Sequence, residues 1–268
     1  MTQENVGTVS ATMMTFDNEV VERRLTFKPD PEINNLCLGY LDEVRIDYRE
    51  SPLILEDGTE NTWEYAGQKV PALILTFKQA RSQSNPKDRY YEHVFKPVTT
   101  KTKDGAPVEA KTIVNLLQQE YARLRHIANQ YKGLKGYRVD LGSCPGIDYG
   151  AAPAIRCEQY FKFFEYFKTL LTGGNDEAPL YKGVKLWIKL VADYSTHKFL
   201  AFPTFVGRGF VERVIEGQNP TIDFEPNETI QLTAGTPKKG NRETAAVTPT
   251  ETTAVNPEIS AILEKYSK

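Results

Sequence analysis

The sequence predicts an α+β protein, mostly β with a helical insertion, and three features of the chain carry that expectation. Through the first hundred positions, β-branched and aromatic residues recur in short runs bounded by Pro, Gly and Asp, which is strand chemistry. Between 108 and 172 the apolar spacing lengthens to steps of three and four, the period of a helix. From 184 to 214 it returns to alternation.

In order, Val20–Lys28 reads as a strand stopped by Pro29, Asp30 and Pro31, and Tyr40–Arg49 alternates through Val44, Ile46 and Tyr48. Asp57-Gly58 marks a turn. Val70–Lys78 is an apolar run ending in charge, and Arg89–Lys96 stops at Pro97. From Val108 to Lys132, Ile113, Leu117, Tyr121, Leu124, Ala128 and Tyr131 share a helical face, and Gly133 suits the C-terminal cap. A glycine-rich loop, 133–153, leads to a second helix from about Ala154 to Thr172. Tyr160, Phe161, Phe163, Phe164, Tyr166 and Phe167 make more than one face of that helix apolar. The strands Val184–Val191, His197–Phe202 and Arg208–Val214 follow, with a hairpin expected around Asp193–Thr196.

From Thr233 the composition changes to Thr, Ala, Pro, Gly and Asn. Residues 233–256 therefore read as a flexible linker behind a domain spanning 1–232. In 257–268, Asn256 and Pro257 suit a helix start, and Ile259, Ile262, Leu263 and Tyr266 share a face. Antiparallel strands, a helical connection and closing strands match the order of an OB-like antiparallel barrel. An α+β sandwich with a covering helix layer is the competing architecture.

The 268 residues carry a formal net charge of −2, which argues against a uniformly basic nucleic-acid binder. The charge is segregated, however. Acidic residues dominate 42–64, while basic residues dominate 78–103 and 181–214. Such stretches can present a local positive field to a polyanion. Cys37, Cys144 and Cys157 are odd in number and widely spaced, which disfavours a disulfide framework or zinc ribbon and fits a reducing cytoplasm. The polar N-terminus and the absence of a long apolar run lead us to expect a soluble protein that does not enter a membrane.

Catalytic signatures are missing. The segment Gly235–Gly240 lacks the spacing of a phosphate loop, and no H-E-x-x-H or G-x-S-x-G occurs. His126 has no carboxylate within two residues, so a packed or surface histidine is expected. Neither a metal nor a cofactor is expected, and the acids of 42–64 read as a solvated face. The chain is accordingly read as a binding protein and not an enzyme.

The strongest binding signal is a basic-aromatic pattern on strands. In Gly183–Val191, Val184, Leu186, Ile188 and Leu190 alternate with Lys185, Trp187 and Lys189. A tryptophan between two lysines suits a sheet that stacks a base and attracts the neighbouring phosphates, although it also suits an ordinary half-buried strand. In Arg89–Lys96, Arg89, Tyr91, His93 and Phe95 share one face, and Tyr90, Glu92, Val94 and Lys96 share the other. Lys198 and Arg208 add cations near Phe199, Phe205 and Phe210. Some of these rings must be core, because aromatic side chains dominate burial in a small barrel.

The Leu-Arg-His-Ile helix (Leu124–Ile127), the aromatic helix Tyr160–Leu171 and the strand Gly183–Val191 together resemble phage-encoded single-stranded DNA-binding proteins, including those of crAss-like phages. The resemblance covers about residues 108–215. It implies an OB-like fold, a role in phage DNA replication or recombination in the host cytoplasm, and no catalytic residue. Single-stranded DNA is then the expected ligand, held by Lys185, Trp187, Lys189, Arg89, Tyr91, His93 and Phe95, with Lys198 and Arg208 on phosphates.

A tethered helix at Ile259, Ile262, Leu263 and Tyr266 would recruit a replication or recombination partner, or dock back on its own domain. It ends in Lys268, without the acidic, Phe-terminated tip of bacterial single-stranded DNA-binding proteins. Homo-oligomerisation is compatible with this reading. The alternatives are a virion structural or replication-complex adaptor protein, and a metal-dependent nuclease using the acidic stretch around Asp47.

Overall fold

A computed structural model describes residues 25–83, 85–102, 105–137, 144–194 and 197–232. The linker 233–256, the terminal helix with Ile259, Ile262, Leu263 and Tyr266, and most of the first expected strand lie outside the described residues.

The expected elements form, with shifted ends. They are β1 (Leu25–Thr26), β2 (Cys37–Glu50), β3 (Lys69–Gln79), β4 (Arg89–Phe95), α1 (Ala110–Asn129), α2 (Pro153–Thr172), β5 (Lys185–Ile188), β6 (Val191–Ala192), β7 (Leu200–Ala201) and β8 (Val211–Arg213). Pro153 opens α2, where its missing N–H costs nothing, and Gly173 closes it in the left-handed region at φ 67°.

Six strands make one mixed sheet in the order β1-β4-β3-β2-β5-β8, curled into a half-barrel. β2, β3 and β4 are a meander, and β5 returns through the long connection 96–184 to lie antiparallel beside β2, a Greek key. β6 and β7 form the expected hairpin as a separate pair. The strand expected over Val184–Val191 thus splits in two: Lys185–Ile188 pairs with β2 and β8, with the Lys189 N–H continuing that register onto the Phe210 carbonyl, and Val191–Ala192 turns to pair with β7.

Curvature begins in β2. The register shifts between Leu41 and Glu43, so Asp42 is an extra residue and the alternation changes phase there. Leu41 and Val44 therefore both reach the main core, together with Leu73, Leu75, Phe77, Leu186 and Ile188. Gly39 is required at this bend, since a Cβ there would come within 2.6 Å of the Lys78 carbonyl.

Both helices cover the inner face. Leu124, Ile127 and Ala128 of α1 join Tyr160, Phe163, Phe164, Phe167 and Leu171 of α2 in the same core as the strands. Burial of one broad face in this core accounts for the apolar breadth of α2, while Glu158, Lys162, Glu165 and Thr169 stay exposed. α1 also closes the edge of β8. His126 Nε2 accepts from Phe210 N and Val211 N at 3.4 and 3.5 Å, and Gln130 Oε1 accepts from Arg213 N at 3.0 Å. Helix side chains thus satisfy donors that a closed barrel would pair with another strand. His126 is the packed histidine expected, its ring 4.8 Å from that of Phe210.

Candidate nucleic-acid interface

Most of the sequence-derived site residues turn inward. On β4, the face carrying Tyr91, His93 and Phe95 points at the helices. Phe95 is 1% exposed. Tyr91 and His93 meet Phe202 at ring separations of 4.8 and 5.1 Å. The Tyr91 hydroxyl accepts from Phe202 N at 2.9 Å and lies 3.0 Å from His93 Nδ1. Burial holds the His93 imidazole down, to about 3, with Arg123 adding to the effect. These three side chains make an aromatic nest, not a stacking platform.

Trp187 and Lys189 are also corrected. The expected displayed face of the strand is open only at Lys185. Trp187 is 1% exposed and packs with Ile33, Leu36, Leu38 and Ile222 in a second, smaller core on the outer face of the sheet. Lys189 is equally buried: its Nζ lies 2.8 Å from Glu228 Oε2 and donates to the Asp223 carbonyl at 2.7 Å. The cause is a cover that periodicity cannot reveal. The turn at 30–36 and the segment 214–228 fold over this end of the outer face. Gly209, at φ 83°, permits that approach, because a Cβ there would meet Ile222 at 2.7 Å.

The remaining cations are scattered. Arg89 is half-buried and donates to Asn85 Oδ1 and to the Thr26 carbonyl, which holds β1 against β4. Lys198 lies exposed before β7. Arg208 is exposed and pairs with Asp223 at 3.2 Å and Glu225 at 3.7 Å.

What the structure brings together is a different set of the same chemistry. On the uncovered part of the outer face, Tyr90 of β4 pairs with Lys78 of β3, Lys78 with Tyr40 of β2, and Tyr40 with Lys185 of β5. Four adjacent strands thus contribute Tyr, Lys, Tyr and Lys to one row, all half-buried. The two tyrosines stand two strands apart, about 10 Å at ordinary strand spacing. Lys78 Nζ sits 5.4 Å from the Tyr90 ring centroid. Burial pulls the Lys78 ammonium pKa down, but the Tyr90 hydrogen bond and nearby acidic groups outweigh it and raise the pKa. Lys78 is therefore charged at neutral pH. Asp88 bridges the edge of the row, 3.4 Å from Lys78 and 2.7 Å from Arg81, and the Arg81 hydrogen bond holds its carboxyl low, at about 2.

The row is bounded on both sides. The Trp187 core closes one. On the other, Glu43, Thr76 and Glu92 form the next row on the same face, with Arg45 at 2.6 and 3.6 Å from the two carboxylates. An anion is therefore favoured along the first row and opposed by the second.

Two loops rise beside this sheet with exposed rings. The β2–β3 loop presents Trp63 together with Leu53, Ile54 and Leu55, and the segment between β5 and β8 presents Tyr194, Phe199 and Phe205. The first loop is anchored by a buried ion pair between Arg156 and Glu64, and Arg156 also donates to the Tyr149 and Ala151 carbonyls.

The acids of 42–64 do not converge. Glu64 is buried in that pair, Glu43 pairs with Arg45, Asp47 accepts from Tyr48 N, and Asp57 caps its own turn at Thr59. Among the described residues no group of three or more His, Cys, Asp or Glu side chains is placed to hold a metal ion. No helix among them is long and apolar enough to cross a membrane.

Comparison with known proteins finds no matching family model, no matching curated protein and no matching solved structure.

Proposed function

We propose that the protein binds single-stranded DNA, without catalysis, across the outer face of an open OB-like half-barrel. The observation that carries this reading is the row Tyr90–Lys78–Tyr40–Lys185, which alternates stacking rings with phosphate-seeking cations on directly paired strands. Topology supports it. The order β4-β3-β2-β5-β8 corresponds to strands 3-2-1-4-5 of an oligonucleotide-binding barrel left unclosed between its third and fifth strands. The loops bearing Trp63 and Phe199 then correspond to the two loops that flank the ligand in that fold. A place in phage DNA replication or recombination follows from the resemblance of residues 108–215 and stands with it.

Fluorescence anisotropy with a labelled single-stranded oligonucleotide tests the reading. Tyr40→Ala and Tyr90→Ala should each weaken binding by about 1–3 kcal/mol, the worth of a stacked base. A double variant that binds as tightly as the parent overturns the site. No retention of single-stranded DNA by the intact chain, together with a stable oligomer, turns the reading to an adaptor protein, which the contiguous exposed Leu53, Ile54 and Leu55 would serve.

A further inference from the structure

A cavity of about 380 Å³ opens between the start of β3 and the first turns of α2, away from the Tyr–Lys row. Its size falls in the range of small-molecule sites. Tyr48 and Phe161 both line it, stacked on each other at 5.6 Å with 29° between their planes, which gives it an aromatic wall. Lys69 and Lys162 also line it, both exposed, and neither forms an ion pair among the described residues. Gln68 and Glu158 complete the polar lining. Glu158 and Lys162 stand one helical turn apart, which places an acceptor and a cation on the same flank of α2.

A flat apolar wall selects a planar ring, and two unpaired ammonium groups select a phosphate attached to it. A glutamine amide and a carboxylate suit the edge of a base that bears an exocyclic amine, because a carboxylate accepts from cytosine N4 and a glutamine pairs with adenine N6 and N7. Thymine bears no exocyclic amine, whereas guanine, like adenine and cytosine, does.

We propose that this cavity is a nucleotide-binding site for nucleotides whose base bears an exocyclic amine, with the base against the Tyr48–Phe161 pair and the phosphate between Lys69 and Lys162. The site does not depend on the Tyr–Lys row, and its ligand is either a free mononucleotide or a terminal nucleotide of a strand.

Isothermal titration of the full chain with dAMP, dCMP, dTMP and deoxyadenosine tests it. Binding of dAMP or dCMP at least tenfold tighter than dTMP and deoxyadenosine is the expected result. Lys69→Glu combined with Lys162→Glu should then weaken dAMP at least tenfold, and Tyr40→Ala should leave it unchanged. A 5′-phosphorylated oligonucleotide that displaces dAMP assigns the site to strand ends, and one that does not assigns it to free nucleotides. No heat from dAMP up to millimolar concentration, or equal affinity in the charge-reversed variant, overturns the proposal. Because both lysines are exposed, the reversed variant keeps the fold, which its unfolding midpoint checks.

Discussion

Lys185 and Lys189 are four residues apart on the same side of one alternating segment, yet one stands in an open row and the other is sealed. Lys185 lies beside Tyr40 on the uncovered sheet. Lys189 is clamped by Glu228 and by the Asp223 carbonyl under a loop that returns 34 to 39 positions later in the chain. The difference teaches that alternation sorts side chains to sides and says nothing about what covers a side. A second contrast repeats the lesson for acids. Asp88, at the edge of the open row, is held down to about 2 by Arg81 and Lys78. Glu120, inside, is pushed up to about 7 by burial, with Arg123 offsetting only part of that.

The sharpest way to break the first comparison is to remove each lysine in turn. Lys189→Ala leaves the Glu228 carboxylate buried without its cation and should cost about 3–5 kcal/mol in urea unfolding. A loss below 1 kcal/mol would mean that the cover over Trp187 is not closed in solution.

A smaller effect tests the second comparison. The Glu120 carboxyl titrates near 4.5 when unfolded and near 7 when folded, so the native state retains a proton that the unfolded state has released. Stability should therefore fall as pH rises through that window. Burial lowers His93 to about 3, which gives the opposite slope between 3 and 6.5, so the Glu120 effect is cleanest from pH 6.5 to 7.5. Glu120→Gln should flatten that fall, worth about 1–2 kcal/mol once partial exposure is allowed for. Equal pH slopes for parent and variant would contradict the burial of this carboxyl.

Least costly to the fold is Lys185→Ala, expected within about 0.5 kcal/mol of the parent in unfolding. Its signature lies in binding. The slope of log affinity against log salt for single-stranded DNA should become shallower by about 0.7, one phosphate contact. An unchanged slope removes Lys185 from the interface while leaving Tyr40 and Tyr90 to be judged by anisotropy.

The residues of the open row are each visible in the sequence, and the alternation of β4 sets Tyr90 opposite Tyr91 and His93, as it stands in the fold. Nothing local showed that Tyr90, Lys78, Tyr40 and Lys185 would fall in one line. That alignment depends on the register of three strand pairs and on the extra residue at Asp42, which resets the phase of β2. A hydrophobic pattern fixes register only where a single face is buried, and here both faces are partly covered.

By itself the sequence determined the kinds and order of the elements, because helix and strand periods, Pro153, Gly173 and the turn residues act over a few neighbouring positions. It also pointed to a broad apolar face on α2, since six of its residues are aromatic, while Glu158, Lys162, Glu165 and Thr169 keep a solvent-facing stripe. The tertiary structure alone decided which side of β4 became core, that α1 would cap β8 in place of another strand, and that the Trp187 face of β5 would be covered as well. Those outcomes rest on contacts between residues tens of positions apart, and no local preference encodes the free energy of a surface that only a distant loop removes from water.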